Sequence, residues 1–241
     1  MAKVVAVPIA RINELGIYYE VRGDGEPVLL IGGLGSDLSM FGDIVARLAE
    51  GSRVVAFDNR GAGRSDKPDI PYSIEMMAGD AVGLMDVLGI RQAHVIGIST
   101  GGSIALELAL TYPDRVATLV LVSASARKPA KFTLSAPMRA AHAMRSLPMF
   151  RGRYPQPEYA HMRQRAASRS YDCTARLAEI HTSTLILHGR RDRTVPIALV
   201  EEMHDRLAGS KLVTFDGGHM FFLARERNQF LEHVAAFVAD R

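Results

Sequence analysis

Serine, histidine and aspartate are the side chains from which a protein assembles an activated hydroxyl nucleophile, and Ser99, His219 and Asp192 stand where such an assembly is feasible. Ser99 lies in Gly97-Ile98-Ser99-Thr100-Gly101. Before it runs the apolar segment Ala93-His94-Val95-Ile96; after it, Gly101 to Tyr112 carries Ile104, Ala105, Leu108 and Ala109 on one helical face. The Gly-x-Ser-x-Gly spacing is that of a serine held on a sharp strand-to-helix turn. Such a turn strains the serine backbone and crowds its neighbours, so small residues are needed two positions to either side. The helix behind it points its positive end at the hydroxyl. A hydroxyl is a weak nucleophile at neutral pH and needs a base, usually a histidine held in the right tautomer by a carboxylate.

Eight histidines compete for that role. His219 follows Asp216-Gly217-Gly218, just past the last apolar run, where a loop returns it to the carboxyl edge of a sheet. His188 ends a strand before Gly189 and reads as packed or turn-forming, and His94 lies within the strand of Ser99 and reads as buried. His142, His161 and His181 belong to an insertion or its exit, and His204 and His233 lie on helices at the surface. Structural roles explain these seven better than catalysis does. For the acid, Asp192 stands in a turn between His188-Gly189 and Pro196, a proline placed to start the next helix. The chain order serine, acid, histidine belongs to one of the three common triad classes.

The elements that must position these groups alternate along the chain. Strands are predicted at Val4 to Ile12, Ile17 to Val21, Val28 to Ile31, Val54 to Phe57, Ala93 to Ile96, Val116 to Val122, Thr184 to His188 and Leu212 to Phe215. Helices are predicted at Met40 to Ala49, Ile74 to Leu88 with Gly89 as its C-terminal stop, Gly101 to Tyr112, Ile197 to Leu207 and Glu226 to Ala239. Continuous apolar strands between helices imply an α/β fold, a mostly parallel eight-stranded sheet covered on both faces. Ligands of such sheets bind at the carboxyl ends of the strands, where all three chemical candidates fall.

One region breaks the rhythm. From Ser125 to Ile180 no strand is legible and five prolines intervene, so residues 125–180 read as a short helical lid inserted into a core of 1–124 and 181–241. This segment holds eleven lysines and arginines against three acidic residues, a net +8, and leaves −5 for the rest of a chain whose total is +3. A solvated helical surface explains that balance, and attraction of anionic substrates is the sharper alternative. The small overall charge and the lack of a basic stripe interleaved with aromatics argue against nucleic acid. With one cysteine, Cys173, no internal disulfide is available, and a reducing, cytoplasmic setting fits. The opening apolar run is too short for a typical signal peptide, and no stretch is long enough to span a bilayer. Gly61-Ala62-Gly63 lacks the third glycine of a dinucleotide loop, and neither His-Glu-x-x-His nor paired cysteines occur, so neither cofactor nor metal is expected.

Taken together these segments resemble the α/β-hydrolase family from about Ile12 to the C-terminus. Leu29-Leu30-Ile31-Gly32-Gly33-Leu34-Gly35 is similar to its oxyanion loop, and Phe57-Asp58-Asn59-Arg60-Gly61-Ala62-Gly63-Arg64-Ser65-Asp66 to its glycine-rich turn. Tyr112-Pro113-Asp114-Arg115-Val116 resembles its exit from the nucleophile helix. Asp58 and Asp66 read as partners stabilising the turn with Arg60 and Arg64. The resemblance implies an oxyanion hole made by the backbone N–H groups of Leu34 and Thr100. Family members often carry histidine where this chain has Gly32, so a less firmly held loop is expected here.

A serine at position 99 argues against the dehalogenase and epoxide-hydrolase branches, whose members have aspartate there. The serine branches include carboxylesterases, lactonases such as 3-oxoadipate enol-lactonase, carbon–carbon bond hydrolases and metal-free perhydrolases. Asp37-Leu38-Ser39-Met40-Phe41 resembles the enol-lactonase branch and its esterase neighbours. The expectation is a carboxylesterase for small acyl chains acting as monomer or homodimer on a small-molecule ester or lactone, with lactonase or perhydrolase as alternatives. A hydrolase-fold receptor for a small signalling molecule is the non-enzymatic alternative.

Overall fold

The computed structural model describes residues 9–129, 154 and 156–240. Eight strands form one sheet: β1 (Ile9–Ile12), β2 (Leu15–Arg22), β3 (Glu26–Ile31), β4 (Ser52–Phe57), β5 (Ala93–Ile98), β6 (Val116–Val122), β7 (Thr184–Gly189) and β8 (Lys211–Phe215). Their order across the sheet is β1-β2-β4-β3-β5-β6-β7-β8. The hairpin β1–β2 is antiparallel, β2 runs antiparallel to β4, and every later pairing is parallel. The predicted eight strands are all present; the part of the first before Ile9 lies outside the described residues.

Alternation along each strand divides the core in two. Leu29, Ile31, Val55, Phe57, Val95 and Leu121 face one layer, where α2 (Ile74–Val87), α3 (Thr100–Thr111) and α5 (Ile197–Arg206) pack. Val28, Leu30, Val54, Ala56, Ile96 and Val120 face the other, covered by α1 (Gly42–Leu48) and α6 (Arg227–Ala239). Side chains as fully buried as Phe221, Phe222 and Phe230 each contribute about 1.5–3 kcal/mol of apolar burial. The helix ends follow local chemistry. Ser73 caps α2 by accepting the Met76 N–H at 3.1 Å, and Gly89, with φ of 65°, takes the left-handed stop after it. The predicted helix from Met40 begins instead as a tighter turn over Leu38–Phe41, because Asp37 caps the Ser39 N–H.

The described part of the expected lid contains α4 (Glu158–Ser170) and a 3-10 turn over Thr174–Glu179; residues 130–153 and 155, with His142 and five of the lid's basic residues, lie outside the described residues. An isolated bridge between Arg127 and Asp172 closes the base of this insertion. Among the described residues, no helix is long and apolar enough to cross a membrane.

Candidate active site

Ser99 sits between β5 and α3 with φ of 54° and ψ of −111°, a conformation that costs a non-glycine residue of the order of 1–3 kcal/mol. The surroundings hold it there. Its N–H donates to the Val122 carbonyl at 2.8 Å, and its own carbonyl receives the Gly102 N–H at 3.0 Å. A side chain on Gly97 would come within 2.5 Å of the Gly101 carbonyl oxygen and 2.7 Å of the Gly102 Cα, and one on Gly101 would press into the carbonyls of Ile31 and Gly32. The two flanking glycines are therefore what allows α3 to start directly on the strand.

Asp192 lies beyond β7, 6% exposed, in a turn closed by its N–H on the Gly189 carbonyl at 2.9 Å. Its Oδ1 accepts the N–H groups of Thr194 at 2.7 Å and Val195 at 3.0 Å, which fixes the carboxylate and leaves Oδ2 for His219. His219 Nδ1 is 2.7 Å from that Oδ2, and His219 Nε2 is 3.0 Å from Ser99 Oγ. The proton therefore belongs on Nδ1, leaving the Nε2 lone pair to accept the serine proton. The His219 loop is held on two sides. Ser123 Oγ donates to the His219 carbonyl at 2.8 Å, and Gly189 lets the Gly217–Gly218 backbone pass where a Cβ would meet the Gly218 oxygen at 2.5 Å. Ser123 was not legible as a site residue; its signal is its place just past β6, where it adopts φ of 49°.

His188 is buried under Asp192, with Nε2 3.1 Å from the Val195 carbonyl and 3.8 Å from Asp192 Oδ2. Burial pushes its imidazole below the usual histidine range, against the pull of Asp192, so it packs as a neutral ring. His94 is also buried and bonds Thr118 Oγ1 at 2.8 Å, whereas His204 is half-buried against Ser210 and His233 is exposed. Near the site, burial pushes the Lys128 ammonium down to about 8 while Asp192 pulls it up.

The Gly32–Gly35 segment runs against the nucleophile: a Cβ on Gly33 would lie 3.4 Å from Ser99 Cβ. Contrary to the expectation of a loosely held loop, it is tied down. Asn59 Nδ2 donates to the Gly32 carbonyl at 3.0 Å and Ser36 Oγ to the Gly33 carbonyl at 2.9 Å. Gln164, from α4, accepts the Gly35 N–H at 3.0 Å. Thr100 is the first residue of α3, whose opening N–H groups have no partner within the helix.

The glycine-rich turn departs from expectation. Asp58 takes backbone N–H groups, from Leu38 at 2.7 Å and Arg64 at 2.8 Å, and Asp66 takes that of Gly16 at 2.7 Å. Arg60 pairs instead with Asp80 of α2 through two bonds of 2.5 and 2.6 Å, and Arg64 with Glu20 at 3.2 Å. Backbone donors satisfy a buried carboxylate without burying a second charge, which frees both arginines for neighbouring elements. Among the described residues, no group of three or more His, Cys, Asp or Glu could hold a metal ion.

Known proteins resemble this chain over most of its length. A family model described as alpha/beta hydrolase fold matches residues 26–157, and one described as TAP-like protein matches residues 159–240. A putative carbamate hydrolase RutD of Variovorax paradoxus is 34% identical over 84% of this chain and 89% of its own length. Among solved structures, the enol-lactonase from Burkholderia xenovorans LB400 has a TM-score of 0.84 and 28% identity, covering 96% of this chain and 100% of that one. An esterase from Exiguobacterium antarcticum has a TM-score of 0.83 and 27% identity over 96% of this chain and 98% of its own. A hydrolase by these likenesses, with an eight-stranded, mostly parallel sheet, the chain belongs to the α/β-hydrolase fold family.

Proposed function

We propose that this chain is a serine hydrolase that cleaves carboxylic esters of small acyl chains through Ser99, His219 and Asp192. The observation that carries the reading is the unbroken line Asp192 Oδ2–His219–Ser99 Oγ, with steps of 2.7 and 3.0 Å. His219 takes the Ser99 proton as Oγ attacks the ester carbonyl, and Asp192 stabilises the imidazolium that forms. Negative charge then moves to the former carbonyl oxygen, where the N–H groups of Leu34 and Thr100 receive it; one such donor typically contributes about 10²–10³ in rate. His219 passes its proton to the leaving alcohol, and water activated by the same ring hydrolyses the acyl-enzyme. None of these steps calls on a cofactor. The described part of the insertion, α4 and the Thr174–Glu179 turn, serves as part of a lid over this site, and the single cysteine, buried and with its thiol pushed up to about 11 by that burial, suits a reducing cytoplasm.

A second reading, cleavage of a lactone, is favoured by the structural likeness to an enol-lactonase, at 28% identity over 96% of this chain, together with the Asp37–Phe41 segment. A series of p-nitrophenyl esters of rising acyl length, assayed beside Ser99→Ala, tests the first. Turnover with a short-chain optimum, abolished by the substitution, is the expected result. Hydrolysis of an enol-lactone with no ester turnover would replace it by the second reading. Stoichiometric acylation without turnover would make the chain a receptor.

A further inference from the structure

An oxyanion hole made of backbone N–H groups works only if those groups are already in place when charge develops. Here the two segments that would supply them, the Gly32–Gly35 loop and the start of α3, meet one further element. On α4, Gln164 and Ser168 lie four residues apart and so share a face. Gln164 is 1% exposed, and both polar atoms of its amide are engaged: Oε1 accepts the Gly35 N–H at 3.0 Å, and Nε2 donates to the Arg60 carbonyl at 2.6 Å. Gln156 Nε2 donates both to that Oε1, at 2.8 Å, and to the Gly61 carbonyl, at 2.7 Å. One turn along, Ser168 Oγ lies 3.1 Å from Thr100 Oγ1, also buried. A buried amide is costly unless satisfied, and this one is satisfied by the backbones of the Gly32–Gly35 loop and of the glycine-rich turn after β4. Arg60, at one end of the bridge, is itself anchored by its paired bonds to Asp80.

We propose that α4 clamps the oxyanion hole, with Gln164 positioning the Leu34 side through Gly35 and Ser168 positioning Thr100. The clamp rests on the serine-hydrolase reading above. It makes transition-state stabilisation depend on how α4 is seated, so that an element outside the triad controls the rate.

The test compares Gln164→Met, which keeps length and volume but removes all of the amide's bonds, with the parent enzyme on the same p-nitrophenyl ester. The end point of fluorophosphonate labelling at Ser99 counts folded sites. Per labelled site, kcat is expected to fall about 10- to 100-fold, the range for sub-ångström to ångström misplacement, with KM within about twofold. Affinity for an alkyl boronic acid, whose tetrahedral adduct places an oxygen in the hole, should fall by the same factor. Ser168→Ala should move kcat in the same direction, and Ser168→Thr, which keeps the hydroxyl, should restore it. Unchanged kcat in Gln164→Met, or a loss confined to KM, overturns the clamp. If Gln164→Met does not fold, Ser168→Ala with parental kcat and parental Tm overturns it. Absence of both turnover and labelling in the parent removes the serine-hydrolase reading, and the clamp with it.

Discussion

The strain at Ser99 can be measured as stability, independently of any substrate. With φ at 54°, Ser99 holds a conformation that glycine adopts freely and alanine does not, so Ser99→Gly releases strain that Ser99→Ala retains. The release is about 1–3 kcal/mol. Against it stands the greater freedom of glycine in the unfolded chain, about 0.5–1 kcal/mol. Ser99 is only half-buried, so loss of the Cβ removes little packing. The net expectation is that Ser99→Gly is more stable than Ser99→Ala by about 1 kcal/mol, within bounds of about 0–2.5 kcal/mol. At about 2–4 °C per kcal/mol for a chain of this size, that is a few degrees in Tm. The order is the reverse of that at an ordinary helical site. At exposed Glu201 in α5, glycine should fall below alanine by about 1 kcal/mol. Urea unfolding and calorimetry of the four variants supply the comparison. If glycine is less stable than alanine at both positions, the turn is not strained and the account of Gly97 and Gly101 as its supports fails.

Two further predictions concern buried charge. Asp80→Ala leaves the Arg60 guanidinium buried without its carboxylate and should cost about 3–5 kcal/mol in urea unfolding, whereas Arg60→Met with Asp80→Leu together should be near neutral; similar costs for the single and double variants would refute the pairing argument. Burial pushes both His94 and His188 below the ordinary histidine value, so the unfolded chain binds protons there that the native state does not. Unfolded-state protonation begins near pH 6.5, so stability should be full above that pH and fall as pH drops below it. Thermal unfolding between pH 7.5 and 5 should show this acid limb, and His94→Gln should flatten it; an identical slope in the variant would assign the limb elsewhere.

Much of this architecture was legible because it is written in local pattern. Strands contain unbroken apolar runs such as Val28-Leu29-Leu30-Ile31, and Gly89 and the glycines around Ser99 punctuate elements by their own backbone chemistry. Ser99 is marked by its Gly-x-Ser-x-Gly turn, and Asp192 and His219 stand out as side chains that follow strands in a sheet whose ligands gather at one edge. What sequence did not reveal are contacts between distant segments. Gln164 meets Gly35 across 129 positions, Ser123 meets His219 across 96, and Arg60 chooses Asp80 over the nearer Asp58 and Asp66. A glutamine on a helix carries no local mark that distinguishes a surface amide from one buried on a loop's N–H.

Gly32 shows how such contacts alter the meaning of a local departure. Read alone, a glycine where relatives often carry histidine suggests a loop short of an anchor. In the structure, a Cβ at this position would lie 2.6 Å from Ser36 Oγ and 2.9 Å from the Phe41 ring, so the space beside Gly32 is already filled. Phe41 belongs to the core layer under α1, and Ser36 bonds the Gly33 carbonyl, so neither can withdraw cheaply. The small residue is therefore the condition for packing the loop against Phe41. With no side chain at position 32 to reach out, the loop takes its restraint from Ser36, Asn59 and Gln164. A histidine introduced at position 32 should accordingly loosen the loop it is expected to anchor. Gly32→His should lower kcat and Tm together, and an unchanged kcat at lower Tm would show that loop packing and the oxyanion hole are uncoupled.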